Sequence, residues 1–211
     1  MIRLVVADDQ SILRSGLVAL LQLESDLEVV GEAADGAGTL AAVAAHRPDV
    51  LLLDVQMPTG TAADNAPGPA DGIAVAQQLR DQPGAPRIIV LTTFGRAGYL
   101  RRTMEAGAHG FMVKDTPVEH LVDAIRRVHQ GLRVVDPELA AQSLAVGPSP
   151  LTLKETEVLQ GAAAGHPTAH IAATLFLSEG TVRNHISAAI GKLGVTNRAE
   201  AVRTASENGW I

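Results

Sequence analysis

The sequence predicts a two-domain protein, in which an α/β domain with a doubly wound, five-stranded parallel sheet precedes a small all-α domain. Over residues 2–131, short apolar runs alternate five times with amphipathic stretches of helical period. The run at 50–53 is apolar without alternation, as expected of a central strand that is buried on both faces. Beyond Pro150 the strand pattern stops, and only helical stretches with capping residues follow.

The elements of the first domain follow in strict order along the chain. The strands are the runs rich in Val, Ile and Leu at 2–7, 28–33, 49–54, 87–92 and 109–113. The helices are the amphipathic stretches at 11–23, 36–46, 72–81, 96–107 and 117–130. The last helix has a marked start, because Thr116 offers an N-cap and Pro117 suits the first helical position.

The second domain is separated from the first by a predicted linker at 132–149. Gly147 and Pro148 lie at the end of this segment and Pro150 follows it, and these residues cannot continue a helix. The domains are therefore expected at residues 1–131 and 150–211. Four capping signals predict the starts of the helices in the second domain, namely Thr152 with Glu155, Thr168, Ser178, and Asn197 with Glu200.

Composition restricts the function further. The chain has no cysteine, which excludes disulfides and thiolate metal sites and fits a reducing compartment. No apolar window has the length of a membrane span, so we expect a cytoplasmic protein without a membrane partner. Residues 1–149 carry 12 Lys and Arg against 18 Asp and Glu, whereas residues 150–211 carry five of each. Only the second domain is expected to bind nucleic acid, and only if its cations gather on one face.

Five polar residues follow four of the predicted strands. Asp8 and Asp9 end the first strand, and Asp54 ends the third. The carboxyl ends of parallel strands meet at one edge, where three carboxylates repel one another unless a cation such as Mg²⁺ intervenes. Thr92 and Lys114 end the fourth and fifth strands and supply a hydroxyl and an ammonium suited to phosphate. An aspartate pair or a lysine after a strand is ordinary by itself, but the five together indicate a phosphate-handling site.

Four motifs in this region resemble the receiver domains of response regulators, over about residues 1–130. They are Val6-Ala7-Asp8-Asp9, Leu53-Asp54-Val55-Gln56-Met57-Pro58, Leu91-Thr92-Thr93 and Gly110-Phe111-Met112-Val113-Lys114-Asp115. The resemblance implies a flavodoxin-like (CheY-like) fold with strand order 2-1-3-4-5 and phosphorylation of Asp54 by a sensor histidine kinase. It also implies a Mg²⁺ site made by Asp9, Asp54 and the backbone carbonyl of Gln56, with help from Asp8 through water.

The resemblance gives roles to three further residues. Thr92 and Lys114 would hold the phosphoryl group, and Phe111 would be the aromatic switch that turns inward when Thr92 moves. A receiver catalyses only its own phosphorylation and hydrolysis, so we expect no other enzymatic activity.

One segment departs from the receiver pattern. Twelve residues, 59–70, separate Pro58 from Asp71, where the family usually has about two. The segment is small, polar and rich in Pro and Gly, which predicts a mobile loop beside the site. A tolerated surface insertion and a role in gating access or in kinase choice both remain open.

A candidate recognition helix lies at 178–193. Its apolar residues recur at helical spacing and are expected to face a core, namely Val182, Ile186, Ile190 and Leu193. Its opposite face has one cation and hydrogen-bonding side chains of little bulk, a composition that can enter a major groove: Thr181, Arg183, Asn184 and Ser187. The helix at 168–176 ends in a tight turn before Ser178, which predicts a helix-turn-helix, although a solvated helix face would have a similar pattern.

The second domain resembles the LuxR-type (NarL/FixJ) effector domain over nearly all of 150–205. The motifs are Leu151-Thr152-x-x-Glu155-x-Glu157-Val158-Leu159, Ile171-Ala172-x-x-Leu175-x-Leu177-Ser178-Glu179-Gly180-Thr181-Val182-Arg183-Asn184-His185-Ile186 and Lys192-Leu193-Gly194-Val195-x-Asn197-Arg198-x-Glu200-Ala201. The resemblance implies base contacts from Arg183, Asn184 and Ser187, and phosphate contacts from Thr181 and Lys192. It implies a dimer interface in the last helix. Residues 165–170 depart from the family, which usually has Asn, Lys and Glu there, so a phosphate contact or a cap is expected to be lost.

The sequence therefore predicts a DNA-binding transcriptional response regulator. Phosphorylation of Asp54 would favour a receiver state that forms a homodimer and binds promoter DNA, where the transcription machinery acts. Two alternatives remain. One is a constitutive DNA-binding regulator with a vestigial receiver. The other is an aspartyl-phosphate phosphohydrolase, which needs an acid for its leaving group, a role that neither Gln56 nor Phe94 beside the site is suited to fill.

Overall fold

A computed structural model describes residues 1–93, 97–137, 139–141 and 147–211 of the chain. The described residues of Met1–Gly95 and Arg102–Leu139 form one compact unit, and those of Arg96–Arg101 and Ala140–Ile211 form a second. Among them, no helix is both long and apolar enough to cross a bilayer. Phe94 lies outside the described residues, as do residues 138 and 142–146 of the predicted linker.

The first unit alternates strands and helices in the predicted order, which confirms the α/β fold class. Its strands are β1 (Ile2–Ala7), β2 (Leu27–Ala33), β3 (Val50–Asp54), β4 (Arg87–Thr92), β5 (Gly110–Val113) and β6 (Val134–Val135). Its helices are α1 (Ser11–Leu21), α2 (Gly36–His46), α3 (Gly72–Arg80) and α5 (Val118–His129), and it also contains the end of α4 (Ala97–Glu105), from Arg102 onwards. The predicted helix bounds extend one to two residues too far at several ends.

The sheet is parallel and has the order β2-β1-β3-β4-β5-β6. The order of the first five strands is the predicted one, but the sequence did not predict β6. This strand pairs Val134 with Gly110 and Val135 with Phe111. A strand of two residues has no periodicity to read, so the prediction placed these residues in the linker, whereas the free edge of β5 supplies them with hydrogen-bonding partners.

The core of the first unit lies on both faces of the sheet. Val50, Leu51, Leu52 and Leu53 are each 0% exposed, which confirms that β3 is a central strand. Apolar residues of α5 pack on one side, where Leu121, Ile125 and Val128 join the cluster that contains Leu52. This packing fixes the positions of the strand ends and hence of the polar side chains that follow them.

The second unit contains four helices after Pro150. They are α6 (Leu153–Ala163), α7 (Thr168–Leu175), α8 (Glu179–Leu193) and α9 (Arg198–Glu207). The capping predictions at Thr152, Ser178 and Asn197 are confirmed, since each side chain accepts a backbone N–H of the first turn. Their apolar faces make two adjoining clusters, around Val158 and around Leu159.

Two capping predictions are wrong. Pro117 and Pro167 are themselves the N-caps of α5 and α7, and neither helix has a side-chain cap. Thr116 therefore lies outside α5, and Thr168 is the first residue of α7 rather than its cap. The fixed φ of proline suits the N-cap as well as the first helical position, so the residue type alone does not decide between them.

Candidate phosphoacceptor site and nucleic-acid interface

Three carboxylates meet at the carboxyl edge of the sheet, where β1 and β3 end. Asp8, Asp9 and Asp54 each offer an oxygen, and these oxygens all lie within 4.8 Å of one another. Asp8 and Asp54 are each 2% exposed, whereas Asp9 is open to solvent. The predicted convergence of the three carboxylates is thus present, with one wall of the site accessible from outside.

Lys114 supplies the positive charge of this group. Its Nζ lies 2.7 Å from Asp8 Oδ2 and 2.8 Å from Asp54 Oδ2, and its side chain is only 7% exposed. Its backbone N–H donates to Thr92 O at 2.8 Å, which joins the ends of β4 and β5. Burial acts to lower the pKa of Lys114, but the hydrogen bonds with Asp54 and Asp8 outweigh it and hold the pKa above its ordinary value. The ammonium is therefore charged at neutral pH.

Asp54 is held in a defined orientation. Its Oδ2 accepts from Lys114, and its Oδ1 accepts the backbone N–H of Gln56 at 3.2 Å. Burial raises the pKa of the Asp54 carboxyl above its ordinary value, although Lys114 and the Gln56 N–H partly oppose that rise. The ionised Asp54 carboxylate is therefore less well solvated in the folded protein than an exposed aspartate is.

Gly72 permits the close approach of α3 to this site. A Cβ at position 72 would lie 2.0 Å from the carbonyl oxygen of Asp54, closer than any side chain allows. The Gly72 N–H donates to the carbonyl of Val55 at 3.0 Å, and Asp71 caps α3 by accepting the Ala74 N–H. The start of α3 therefore packs against the backbone of Asp54 and Val55 and holds it in position.

Thr92 and Phe111 lie where the strand register places them. Thr92, at the end of β4, is 4% exposed and pairs with Val113. Phe111, on β5 opposite Val90, is fully buried. The aromatic ring is therefore already inside the domain, and the roles of both residues in phosphate binding and switching stay predictions.

Arg14 is a contact of the site that the sequence did not reveal. Its guanidinium donates to the backbone carbonyl of Asp8 and forms an ion pair with Glu32 at 3.1 Å. The Gln10 N–H also donates to Asp8 Oδ1, at 2.9 Å. The start of α1 thus holds both the backbone carbonyl and the carboxylate of Asp8, and the only sequence signal was an arginine five residues after the aspartate pair.

Residues 59–70 have an internal structure that their composition did not predict. Thr61 and Pro67 form an antiparallel bridge, and the Ala62 N–H donates to the carbonyl of Ala66 at 2.9 Å. The segment thus folds back on itself as a small hairpin, and the mobility expected from its composition stays a prediction. Whether it affects access or kinase choice stays a prediction.

The same stretch of chain also caps α2. The N–H groups of Gly36 and Ala37 donate to the carbonyls of Pro58 and Thr59 at 3.0 and 3.1 Å. Asp35 accepts the next free N–H of the helix, that of Gly38, at 2.7 Å. The first N–H groups of a helix have no partner within the helix. Their hydrogen bonds to the carbonyls of Pro58 and Thr59 hold the residues that lead into the hairpin in place.

The carboxylate group fits a hard divalent cation. Mg²⁺ takes oxygen ligands and is usually held by one or two carboxylates with several waters. Exposed Asp9 beside the buried Asp8 and Asp54 offers this donor set, with a side open for water or for phosphate oxygens. Lys114 shares the oxygens of Asp8 and Asp54 and partly neutralises the group.

In the second unit, α8 has the two faces that its sequence predicts. Val182 is 0% and Ile186 8% exposed, and both lie in the cluster around Val158. The opposite side chains at Arg183, Asn184 and Ser187 are exposed. The structure thus brings together a solvent-facing polar surface, while the assignment of these residues to DNA bases stays a prediction.

Two of the predicted DNA contacts have partners within α8 or its cap. Thr181 Oγ1 lies 2.8 Å from Ser178 Oγ, the cap of the helix. Arg183 pairs with Glu179 at 3.2 Å, but both side chains are more than half exposed, at 67% and 51%. The Arg183 guanidinium therefore keeps most of its donors available.

Lys192 has a partner outside its own helix. Its Nζ lies 2.7 Å from Glu155 Oε2, and the Glu155 side chain is buried. Burial acts to raise the pKa of Glu155, but hydrogen bonds from Lys192 and Thr152 outweigh it and hold the pKa below its ordinary value. Lys192 thus joins α8 to α6, in addition to the phosphate contact predicted for it.

Comparisons with known proteins cover both units. Residues 4–126 match the family of response regulator receiver domains, and residues 149–205 match the luxR family of bacterial regulatory proteins. The uncharacterized transcriptional regulatory protein YvfU of Bacillus subtilis is 43% identical over 211 residues, with all of both chains covered. The crystal structure of the response regulator ChrA of a heme-sensing two-component system is 34% identical, covers 100% of this chain and 98% of its own, and has a TM-score of 0.55. The structure of the RcsB–DNA complex is 26% identical, covers 98% of each chain and has a TM-score of 0.66.

The matched families and the geometry agree. The receiver match contains all the residues that converge at the carboxylate site, and the luxR match contains α6, α7, α8 and most of α9. A receiver unit and a DNA-binding unit in one chain make a phosphorylation-dependent transcriptional regulator. The chain therefore belongs to the response regulators that join a receiver domain to a LuxR-type helix-turn-helix domain.

Proposed function

We propose that a sensor histidine kinase phosphorylates Asp54 and that the phosphorylated protein dimerises on promoter DNA in the cytoplasm. One observation carries the first part of this proposal. Asp54 is a buried carboxylate with Lys114 at 2.8 Å and two further carboxylates within 4.8 Å. A nucleophile, a fixed ammonium and a set of cation ligands therefore lie together at the carboxyl edge of the sheet.

The proposed chemistry needs one oxygen of Asp54. This oxygen attacks the phosphorus of the phosphorylated kinase histidine, an acyl phosphate bond forms, and the P–N bond breaks as the imidazole leaves. The three outer oxygens of the transferred phosphoryl group share its negative charge, and the Lys114 ammonium can bind one of them. Thr92 would donate its hydroxyl to a second oxygen.

The residues that would hold Mg²⁺ are Asp9, Asp54 and the backbone carbonyl of Gln56, with Asp8 acting through water. The bound ion would screen the carboxylates and the incoming phosphoryl group from one another. Asp8 keeps its orientation through the Gln10 N–H and Lys114, so it can accept from a metal-bound water without moving.

The proposed output is a shift in population towards a dimer. Reading of DNA by one short helix is weak, and two copies gain affinity by binding two half-sites together. Residues 150–211 carry no net formal charge, so release of counterions contributes little to DNA binding, and joining two DNA-binding domains matters more. The last helix, α9, is the proposed dimer interface on DNA.

Two alternatives make different predictions. A constitutive regulator with a vestigial receiver would bind DNA equally with and without phosphorylation. A phosphohydrolase would turn over simple phosphate esters, but it needs an acid for the leaving group. Gln56, the described residue two positions after Asp54, cannot donate a proton in this way, which disfavours a hydrolase.

Labelling tests the phosphorylation site. The wild-type protein in Mg²⁺ is expected to incorporate label from a small phosphodonor, and Asp54→Asn is expected to incorporate none. Asp9→Asn serves as the matched control, because it removes a cation ligand and should slow labelling without abolishing the acceptor. Full labelling of Asp54→Asn would contradict the assignment.

Sedimentation and DNA selection test the output. Beryllofluoride, a mimic of the phosphoryl group, is expected to convert the protein to a dimer and to tighten binding of a selected two-fold DNA site. The Asp54→Asn variant should respond to neither. An unchanged mass together with unchanged DNA binding would favour the vestigial receiver.

A further inference from the structure

Two histidines meet at the start of α7, in the segment that departs from the LuxR-type pattern. The ring centroids of His166 and His170 are 4.3 Å apart and the ring planes are tilted by 48°. Both residues are exposed. We propose that these two imidazoles form a chelating site for a divalent transition-metal ion of the Ni²⁺ or Cu²⁺ class.

The separation of the rings fits two ligands of one ion. With a metal–nitrogen bond of about 2.0–2.1 Å, a ring centroid lies roughly 3.2 Å from the metal. Two such rings at a right angle about the metal are roughly 4.5 Å apart, and at a tetrahedral angle roughly 5.2 Å. The observed 4.3 Å is closer to the right angle, which belongs to octahedral or square-planar ions.

The backbone around the pair is held on both sides. The carbonyl of His166 accepts from Arg198 at 2.7 Å, which ties the residue before the N-cap of α7 to the start of α9. The carbonyl of His170 accepts from the Thr174 hydroxyl at 3.0 Å within α7. The two side chains thus project from fixed backbone, and less freedom is lost when an ion binds them than in an open loop.

Two imidazoles leave most of the coordination positions of the ion to water. An ion at this place would add two positive charges to the domain at 150–211, which has five cationic and five anionic side chains. It would do so on the helix that precedes the recognition helix, and this first helix crosses the DNA backbone in helix-turn-helix complexes. A phosphate oxygen of DNA could replace one of its waters.

Calorimetry on the untagged, full-length protein tests the site. Excess Mg²⁺ is present throughout, so that the receiver carboxylates are already occupied when NiCl₂ is added. One equivalent of Ni²⁺ is expected to bind. His166→Gln and His170→Gln should each weaken this binding by about tenfold or more, since the remaining imidazole has no chelate partner.

His120→Gln is the matched control, because it removes an exposed histidine of α5 in the receiver. This variant is expected to bind Ni²⁺ like the wild type. Imidazole NMR resonances of His166 and His170 should shift together at one equivalent. Equal binding by the wild type and the His166→Gln/His170→Gln double variant, or no binding by the wild type, would overturn the proposal.

The metal readout does not depend on Asp54 or on DNA. Asp54→Asn is expected to bind Ni²⁺ normally even though it cannot be phosphorylated. Failure of the histidine site and failure of the proposed phosphorylation are therefore distinguishable.

Discussion

Lys192 and Glu155 form an ion pair in which one carboxylate oxygen serves two purposes. Glu155 Oε2 accepts from Lys192 Nζ at 2.7 Å and also from the backbone N–H of Thr152 at 2.7 Å. The oxygen thereby closes the capping box of α6 and joins that helix to α8. The Lys192 side chain is 37% exposed, so its ammonium retains donors for a phosphate of DNA.

Lys192→Ala is therefore expected to have two effects. Stability of the second domain should fall by about 1–2 kcal/mol, because buried Glu155 loses its charged donor. DNA binding should weaken equally for all sequences, and the salt dependence should flatten by about one unit. Fluorescence of Trp210, the single tryptophan of the chain, reports the unfolding, since it packs on the cluster around Leu159.

Glu155→Gln separates these two effects. It removes the same ion pair but keeps the Lys192 ammonium, so it should lower stability and leave the salt dependence unchanged. If Lys192→Ala also leaves the salt dependence unchanged, Lys192 is structural and phosphate binding must fall to other residues.

The pH dependence of the second domain should reflect Glu155. Its pKa in the folded protein is lowered, so its contribution to stability is complete above the ordinary glutamate pKa and is lost as pH falls through the folded value. Acid unfolding followed by Trp210 should therefore be less steep in Glu155→Gln than in the wild type over that range. Glu157→Gln is a matched control, and identical acid profiles for all three proteins would refute the role of Glu155.

Arg183→Ala is expected to relax sequence preference. Arg183 is an exposed cation of α8, its ion pair with Glu179 is solvated, and an arginine can bond a guanine through two N–H groups. Binding to the specific site should weaken by about 1–3 kcal/mol, with preference lost at one position in each half-site. Equal losses on specific and random DNA would instead make Arg183 a phosphate contact, and base reading would fall to Asn184 and Ser187.

Asp54→Asn is expected to stabilise the receiver near neutral pH in the absence of divalent cations. The pKa of Asp54 is raised by burial, so the folded state binds its proton more tightly than the unfolded state does. Stability therefore falls as pH rises from the ordinary aspartate pKa through the folded value. Thermal unfolding followed by circular dichroism should show a higher Tm for the variant, with a difference that shrinks in acid. A lower Tm at neutral pH would show that the Lys114 pair outweighs the cost of burial.

Local patterns determined much of this protein. The continuous apolar run at 50–53 predicted a buried central strand, and alternation with helices placed Asp8, Asp9 and Asp54 at one sheet edge. The faces of α8 were equally readable, since Val182 and Ile186 recur at the helical period. These features can be predicted because buried positions need apolar side chains, and such positions recur along a strand or a helix in a regular pattern.

Several long-range contacts could be seen only in the tertiary structure. Arg14 meets the Asp8 carbonyl, Lys192 meets Glu155, and Val134 meets β5, yet none of these pairings has a period in the sequence. The hairpin at 59–70 likewise has no signal in the composition of the segment, and the free N–H groups of α2 bond to the carbonyls of Pro58 and Thr59, which lead into it. A long-range pairing depends on which hydrogen-bonding and charged groups still lack a partner after the helices and strands have packed. These groups are determined only when the whole domain has folded.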